Sequence, residues 1–250
     1  LDKIDEKNLY EYYKKLINEC KIDIFVSGNL NNVKVKQMVI ENEDIKNLQD
    51  REAVYIVNKT EKKEKIEKEN LVEESMEVTQ GKLVMGYDTT INDEDLKDEN
   101  LRYIGIVYNG ILGGGANSKL FQNVREKESL AYTTSSSYSY YTGNIFANAG
   151  IDIENFQKTV EIIKQQIKDM EDGNFSDEDI QNTKKIIISS INSIDDEQDT
   201  EIIYFLGQEL SGRNVSLEEY ANRIQNITKE QIQNFAKKVK INTIYFLKSN

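Results

Sequence analysis

Three consecutive glycines, Gly113 to Gly115, are the first feature of this 250-residue sequence that could carry chemistry. They lie in the stretch ILGGGANSKLFQNVREKESLAY, which runs from Ile111 to Tyr132. A glycine-rich turn that opens a helix presents backbone N–H groups and the positive end of the helix dipole to an anion. The first hypothesis for this stretch is therefore a phosphate site.

The spacing of the glycines fits neither of two common phosphate-binding motifs. A P-loop requires Gly-x-x-x-x-Gly-Lys-Ser/Thr after a strand, but here Lys119 follows Ser118 and the preceding segment has a helical pattern. A dinucleotide fingerprint requires a third glycine where Ser118 stands. The remaining interpretation is structural: Gly113, Gly114 and Gly115 end one helix and allow a tight turn into the next.

Histidine is absent from the chain, and Cys20 is its one cysteine. Since histidine is the commonest zinc ligand and general base, any chemistry must proceed without imidazole or be done by another chain. A single cysteine excludes an intramolecular disulfide, and no apolar run approaches the ~18 residues of a membrane span. These features predict a cytoplasmic protein without a metal site of its own.

The charge balance argues against nucleic acid as a partner. The chain has 32 Lys and Arg residues against 44 Asp and Glu residues, which gives a formal net charge of −12. A protein that binds the nucleic-acid backbone needs a basic face to displace counterions. We therefore expect neither nucleic acid nor a membrane as a partner.

Apolar periodicity places a helix on each side of the glycines. The first helix stops at Gly113 and carries an apolar face of Leu101, Ile104, Val107, Tyr108 and Ile111. Asn117 or Ser118 caps the second, which carries Leu120, Phe121 and Val124. A strand LAYTTSSSYSYY and a hairpin turn near Gly143 follow, and in the next strand Ile145, Ala147, Ala149 and Ile151 share one side.

The rest of the chain alternates between helices and strands. QGKLVMGYDT reads as a strand, Phe156 to Met170 as an amphipathic helix, and capping motifs at Ser176, Ser216 and Thr228 predict three more helices. The final helix, with an apolar stripe of Ile232, Phe235, Ala236 and Val239, leads into the strand INTIYFLKSN. We expect an α+β fold, a mostly antiparallel sheet layered with helices.

A similar helix and strand also begin the chain. YYKKLINECKIDIFVSGN resembles NFAKKVKINTIYFLKSN near the end, so IDIFVSGN is expected to be a buried strand and the chain to hold parts of two related folds. The mixed-charge run from Lys59 to Glu69 reads as a solvated linker between them. Because Leu1 is not a methionine and no signal peptide follows, we expect a fragment of a longer chain.

The stretch LGGGANSKLFQNVREKESLAY resembles the C-terminal half of the pitrilysin/insulinase family of zinc metallopeptidases, which includes the mitochondrial processing peptidases. The matching positions are the glycine-rich turn Gly113 to Gly115, Ser118, Leu120-Phe121, Arg125 and Leu130-Ala131-Tyr132. The resemblance implies a metallopeptidase half-domain fold. It divides the chain into 1–50, the tail of an N-terminal half-domain; 51–75, a linker and entry strand; and 76–250, the C-terminal half-domain.

The resemblance also implies a function for this half. In the family, a His-x-x-Glu-His motif in the N-terminal half binds zinc, and the C-terminal half supplies an Arg and a Tyr to the substrate. The matching residues here are Arg125 and Tyr132, expected to bind the carbonyl or oxyanion of a peptide. The chain lacks the zinc motif and looks most like the bacterial type without it, so it is predicted to be inactive alone, with no cofactor of its own.

The partners implied are a peptide substrate and a complementary zinc-bearing half or homologous subunit, in a heterodimer that closes a clam-shell chamber. A catalytically inactive scaffold or assembly protein of the same family is the alternative. Under the peptidase hypothesis, the glycines let two helices turn tightly so that the wall with Arg125 and Tyr132 faces the chamber.

Overall fold

The computed structural model of the chain describes residues 3–46, 69–91, 95, 98–140, 142–210 and 212–249. The helices and strands in these ranges are, in chain order, α1 (Glu6–Glu19), α2 (Asn32–Glu41), α3 (Glu43–Lys46), β1 (Asn70–Ser75), β2 (Gly81–Thr89), α4 (Leu101–Gly113), a π-helix (Phe121–Lys127), β3 (Ala131–Ser139), β4 (Asn144–Ile151), a 3₁₀ turn (Ile153–Asn155), α5 (Phe156–Asp172), α6 (Asp177–Asn192), a 3₁₀ turn (Ile194–Asp196), α7 (Gln198–Leu210), α8 (Leu217–Asn226), α9 (Lys229–Ala236) and β5 (Val239–Lys248).

The chain divides into two compact units. The smaller unit consists of Leu1–Glu61 and Ile194–Asn214, and the larger unit of Lys62–Ser193 and Val215–Asn250. α7 thus belongs with the N-terminal helices although it lies between α6 and α8 in the sequence. The finer division at residues 50 and 75 stays a prediction.

The five described strands of the larger unit form one mixed sheet in the order β1-β5-β2-β4-β3. β1 runs parallel to β5, whereas the pairs β5–β2, β2–β4 and β4–β3 are antiparallel. The β3–β4 hairpin turns through Gly143, whose φ of 61° is left-handed and suits glycine. The predicted α+β fold with a mostly antiparallel sheet is confirmed.

The core of the larger unit lies between the sheet and its helices. Leu83, Met85 and Tyr87 alternate along β2 and are buried. β4 contributes the predicted set of Ile145, Ala147, Ala149 and Ile151, which is also buried. Aromatic rings join the layers: the Phe235 ring of α9 lies 5.2 Å from the Tyr108 ring of α4 and 5.6 Å from the Tyr138 ring of β3.

Capping chemistry sets the helix starts as the sequence predicts. Ser176 and Asp179 form a reciprocal capping box at α6, as do Thr228 and Gln231 at α9. Ser216 accepts a hydrogen bond from the Glu219 N–H at the start of α8. Val239, expected on the apolar stripe of the last helix, instead begins β5 and is buried in the sheet.

One prediction for the smaller unit is wrong. IDIFVSGN, residues 22–29, was expected to be a buried strand, but its described residues form no strand and Ile22, Ile24 and Val26 are exposed. A strand needs a neighbour to bond its N–H and C=O groups, and the described residues of this unit form no strand for it to join.

Two further predictions concern the linker and membrane-spanning segments. The predicted linker from Lys59 to Glu69 lies outside the described residues except for Glu69. None of the helices in the described ranges is long and apolar enough to span a bilayer.

Candidate functional site

Arg125 lies on the π-helix Phe121–Lys127. Leu120 and Val124 are fully buried, so the backbone of the π-helix is fixed to the core. The Arg125 side chain is 44% exposed, and its guanidinium lies 4.7 Å from the centre of the Phe121 ring. Its Nε is 3.7 Å from a carboxylate oxygen of Glu126, a weak surface contact. Arg125 is therefore partly ordered by Phe121 and open to a ligand.

A left-handed residue ends the π-helix and turns the chain into β3. Ser129 has a φ of 53°, an uncommon conformation for a residue with a Cβ atom. Its N–H donates to the Arg125 carbonyl over 3.1 Å, and the Leu130 N–H donates to the Val124 carbonyl over 3.0 Å. These two hydrogen bonds satisfy carbonyl groups at the helix end and fix the direction in which β3 leaves it.

Tyr132 lies at an irregularity of β3. In the β3–β4 ladder Ala131 pairs with Ile151 and Thr133 with Gly150, so Tyr132 is the extra residue of a β-bulge. Its side chain is 59% exposed, and the phenolic O–H donates to Asp152 Oδ1 over 3.0 Å. This hydrogen bond, together with the negative charge of Asp152, raises the pKa of Tyr132 above its usual value.

The two predicted site residues occupy the two sides of the turn at Ser129. The π-helix, which carries Arg125, packs against β3, which carries Tyr132. Within the described ranges no hydrogen bond or ion pair joins them: Arg125 contacts Phe121 and Glu126, and Tyr132 contacts Asp152. The arrangement offers two separate donors, each already held by a neighbour.

Charged side chains border the site. Lys158, near the start of α5, lies 2.8 Å from Glu128 on the turn. The hydrogen bond and charge of Lys158 lower the pKa of the exposed Glu128 carboxyl group. Glu128 therefore stays ionised near neutral pH, and this side of the turn carries both charge signs.

The outward face of the sheet adjoins Tyr132 and is not buried in the core. We define the open sheet face as the outward side chains of β2, β3 and β4, namely Lys82, Val84, Gly86, Thr133, Ser135, Ser137, Asn144, Phe146 and Asn148. All of these residues are exposed or partly exposed. The Phe146 ring, 41% exposed, lies over Gly86 of β2. Hydroxyls, amides and one aromatic ring suit contact with a peptide.

The glycines are required for close packing rather than for a left-handed backbone. α4 ends at Gly113, and its cap Gly114 has an ordinary negative φ of −82°. A Cβ atom on Gly113 would clash with the main-chain nitrogen of Ser136 on β3. The Asn109 amide also donates to the Ser136 carbonyl over 3.3 Å, so α4 lies directly along β3. The role of the three glycines as a turn that directs the site stays a prediction, and the structure shows that Gly113 serves the contact between α4 and β3.

The described residues form no group that could bind zinc. The chain has no histidine, and across the described ranges no group of three His, Cys, Asp or Glu side chains could hold a metal ion. Cys20 is exposed and forms no disulfide.

Sequence reasoning missed Asp152, the partner of Tyr132. Its signal was weak: an aspartate directly after a predicted strand whose hairpin partner begins near Tyr132. The other tyrosines of this hairpin are not part of the site: Tyr138 packs on Phe235 and Tyr140 lies against the core, while Tyr141 lies outside the described residues.

Residues 3–187 match the family described as "Peptidase M16 inactive domain". A protein of Bacillus subtilis (strain 168) named "Probable inactive metalloprotease YmfF" is 32% identical over 250 residues, covering 99% of this chain. The chain spans 56% of the length of that relative.

Solved structures share the fold. A conserved protein from Enterococcus faecalis V583 has a TM-score of 0.79 and 29% identity, covering 100% of this chain and 57% of that protein. The peptidase M16 inactive domain from Pseudomonas fluorescens has a TM-score of 0.68 over 89% of this chain and 52% of that protein; at 16% identity this likeness concerns the fold alone.

Proposed function

Because the chain belongs to the peptidase M16 family through its inactive domain, we propose that it is the zinc-free, substrate-binding half of a metalloprotease-like protein. Arg125 and Tyr132 bind the backbone of a peptide that lies on the open sheet face. A complementary zinc-bearing half or a homologous subunit closes a clam-shell chamber over it and supplies the metal. A cytoplasmic location, suggested by the single cysteine, is part of this proposal.

The observation that carries the proposal is a concentration of local irregularities around Arg125 and Tyr132. Arg125 lies in a π-helix, Tyr132 at a β-bulge, and the turn between them holds Ser129 in a left-handed conformation. Each is less favourable than regular structure, and such features occur often at functional sites, where they direct a side chain. Three such features within twelve residues support a functional role for this surface.

The two side chains offer complementary chemistry. The Arg125 guanidinium presents a planar fork of hydrogen-bond donors to a peptide carbonyl. Tyr132 has one phenolic hydrogen, which the carboxylate of Asp152 already accepts. A substrate carbonyl must therefore displace Asp152 to receive that hydrogen. While the Tyr132 hydroxyl donates to Asp152, the phenolic oxygen can still accept a hydrogen bond from a substrate N–H group.

Charge favours a basic peptide. The formal net charge of −12 attracts cationic, unstructured segments and raises their rate of encounter. Arg125 then supplies the positive charge needed near the carbonyl group, within an otherwise acidic protein.

A catalytically inactive scaffold or assembly protein is the second candidate. It is favoured by the relative whose name describes an inactive metalloprotease. The full-length sequence and its neighbouring gene distinguish the two: a His-x-x-Glu-His motif in either supports the peptidase function, and its absence from both supports the scaffold.

The test compares Arg125→Ala and Tyr132→Phe with the control Lys185→Ala, which removes an exposed positive charge from α6 in the helix layer of the larger unit. The full-length protein is combined with its zinc-bearing homologue, or assayed alone if it carries the zinc motif. Turnover of a quenched fluorescent basic peptide is measured. Loss of one preorganised donor costs on the order of 2.7 to 4 kcal/mol, so turnover should fall about 100- to 1000-fold in each site variant.

Thermal unfolding separates function from structure. Both side chains are exposed, so the melting temperature should stay close to the parent value, and Lys185→Ala should change neither quantity. Unchanged turnover in Arg125→Ala and Tyr132→Phe would withdraw the proposed substrate role. If turnover falls only in proportion to the amount of folded protein, the two residues have a structural role instead.

A further inference from the structure

The helix layer of the larger unit contains a small cavity between the end of α4 and the first half of α6. Gly110 and Gly114 line it on the side of α4, and Asp179, Asn182 and Thr183 line it on the side of α6. Its volume is about 60 Å³. Since a water molecule requires ~10–15 Å³ on this measure, the cavity has room for roughly four to six ligand atoms.

The end of α4 forms a wall that accepts hydrogen bonds. A Cβ atom on Gly110 would lie 2.5 Å from Thr183 Cγ2, so the absence of a side chain there allows α6 to approach α4 closely. The Gly114 N–H donates to the Gly110 carbonyl over 3.2 Å and closes the last turn of the helix. The last turn of a helix has carbonyl groups without intrahelical partners and carries the negative end of the helix dipole. This wall therefore favours a positively charged donor.

α6 adds a carboxylate with one oxygen available. Asp179 Oδ2 accepts the Ser176 N–H over 2.7 Å in the capping box of the helix. Within the described part of the chain, no hydrogen bond or ion pair uses Asp179 Oδ1, and none uses the side-chain amide of Asn182. Both side chains line the cavity and can bind a ligand there.

Ser118 adds a buried hydroxyl group to the cavity. The residue is 4% exposed, and its oxygen accepts a long hydrogen bond of 3.5 Å from the Phe121 N–H. Among the residues that the structure describes, nothing accepts the hydrogen of the Ser118 hydroxyl. The side chain of Thr183, which is 9% exposed, also makes no hydrogen bond to a described residue. Because buried polar groups are nearly always paired, these hydroxyls indicate a bound ligand or ordered water.

Several ligand classes fit this cavity poorly. An anion would meet the Asp179 carboxylate and the negative end of the α4 dipole. A metal ion would need more anionic ligands, since in the described ranges no group of three His, Cys, Asp or Glu side chains could hold one. A wholly apolar ligand would leave the Ser118 hydroxyl and the Asp179 oxygen unpaired.

We propose that the cavity binds the cationic end of a small aliphatic amine or guanidine. The ammonium or guanidinium group donates to the Asp179 carboxylate, the Asn182 amide oxygen and the carbonyl end of α4. Ile111 and Ile187 line the cavity as well and contact the alkyl chain. A few polar groups within a partly apolar concave site are typical of small-molecule sites. The cavity lies among the helices, on the side of the sheet opposite the open sheet face, so this site is distinct from the proposed peptide site.

NMR titration of the ¹⁵N-labelled full-length protein tests the proposal. n-Butylammonium chloride is the probe, and 1-butanol is the control because it has the same length and no charge. We expect saturable shifts of the Ser118 and Asn182 signals with a dissociation constant in the millimolar range, as suits a ligand of five heavy atoms. 1-Butanol should bind at least about 10-fold more weakly. Equal affinity for both compounds, or no shift at these two residues, would show that the cavity holds only water and would overturn the proposal.

Substitutions identify the group that binds the cation. Asp179→Asn keeps an oxygen for the Ser176 N–H but removes the charge, so it should weaken n-butylammonium binding by about 10- to 100-fold. Glu178→Gln is the matched control, because Glu178 is the exposed neighbour on α6 and does not line the cavity. It should leave the affinity unchanged. Ser118→Ala is a second site variant with little risk to folding, and it should also weaken binding. Equal affinities of Asp179→Asn and Glu178→Gln would contradict the proposal.

A third ligand distinguishes two sources of the cation. N-acetyl-lysine N-methylamide presents the same ammonium group on a peptide backbone. If it binds as tightly as n-butylammonium, the cavity can receive a lysine side chain of another protein. If it binds at least about 10-fold more weakly, the cavity selects a free amine. Both results support a site for an aliphatic cation, whereas binding of neither ammonium compound overturns it.

Discussion

At the scale of residues, Arg125 and Tyr132 are exposed side chains that neighbours hold in place. The Phe121 ring restrains the Arg125 guanidinium, and the Asp152 carboxylate restrains the Tyr132 hydroxyl. Ordering an exposed side chain before a ligand arrives lowers the entropy lost on binding. These contacts are therefore consistent with a site that is prepared for a peptide.

Asp152 should control the titration of Tyr132. We expect Asp152→Asn to lower the pKa of Tyr132 towards its ordinary value near 10, because the substitution removes the negative charge that opposes phenolate formation. A raised pKa in the folded state means that this contact stabilises the fold below pH 10 and is lost as the pH rises through the folded value. NMR of ¹³C-labelled tyrosine, assigned with Tyr132→Phe, measures the change.

Tyr245 is the internal control for that titration. Its hydroxyl donates to Glu74 over 2.7 Å and its pKa is also raised, but Asp152 is not its partner. The Tyr245 titration should be the same in the parent protein and in Asp152→Asn. If Tyr132 titrates unchanged in the variant, Asp152 does not govern it.

The sequence identified Arg125 and Tyr132 through a family pattern and not through their surroundings. Neither the π-helix nor the β-bulge could be predicted, because both arise when a helix and a strand are fitted to a core formed by distant segments. Asp152 was missed for the same reason: it reaches Tyr132 through the register of β3 and β4, a pairing of distant residues.

At the scale of elements, the turn at Ser129 connects the π-helix that carries Arg125 to the strand β3 that carries Tyr132. A side chain in the left-handed region costs roughly 1 to 2 kcal/mol, and more when it is β-branched. We therefore expect Ser129→Val to lower the free energy of unfolding by about 1 to 2 kcal/mol, and Ser129→Gly to leave it unchanged or to raise it slightly. Chemical denaturation measures both. Equal stability of the two variants would show that the turn adapts freely.

The contact between α4 and β3 provides a second element-scale test. Gly113→Ala places a methyl group against the main chain of Ser136, which cannot move away without disturbing the sheet, so it should cost about 1 to 3 kcal/mol. Gly115 has nothing within 4 Å of its added Cβ position. Gly115→Ala, in the same turn, should therefore stay within about 0.5 kcal/mol. A reversed order of these two effects would contradict the close packing of α4 on β3.

Local signals predicted most elements well and failed where burial depends on other parts of the protein. Capping boxes at Ser176 and Thr228 involve residues three apart and were correct. The apolar run at residues 22–29 has strand propensity, yet propensity cannot supply a partner strand, and the predicted strand is absent from the described residues. α7 was not predicted, although Asp199 and Glu201 near its start favour a helix.

At the scale of the whole molecule, the resemblance to the pitrilysin/insulinase family is confirmed by the match to the peptidase M16 inactive domain. Composition alone argued only against disulfides, membrane spans and nucleic-acid binding. The family was identified from one stretch of about twenty residues, Leu112 to Tyr132. The open sheet face, Arg125 and Tyr132 belong to the larger unit, and our account assigns substrate binding to that unit.

Site-specific photo-crosslinking tests the central claim, that a peptide lies on the open sheet face beside Tyr132. A photoreactive residue replaces Ser135, which is exposed on β3, so that Arg125 and Tyr132 stay intact. Ser190, equally classed as exposed but on α6 in the helix layer, is the matched control. With the full-length protein, its zinc-bearing homologue and a labelled basic peptide, we predict crosslinking at position 135 that unlabelled peptide suppresses, and none at position 190. Equal crosslinking at both positions, or crosslinking at position 190 alone, would contradict the account.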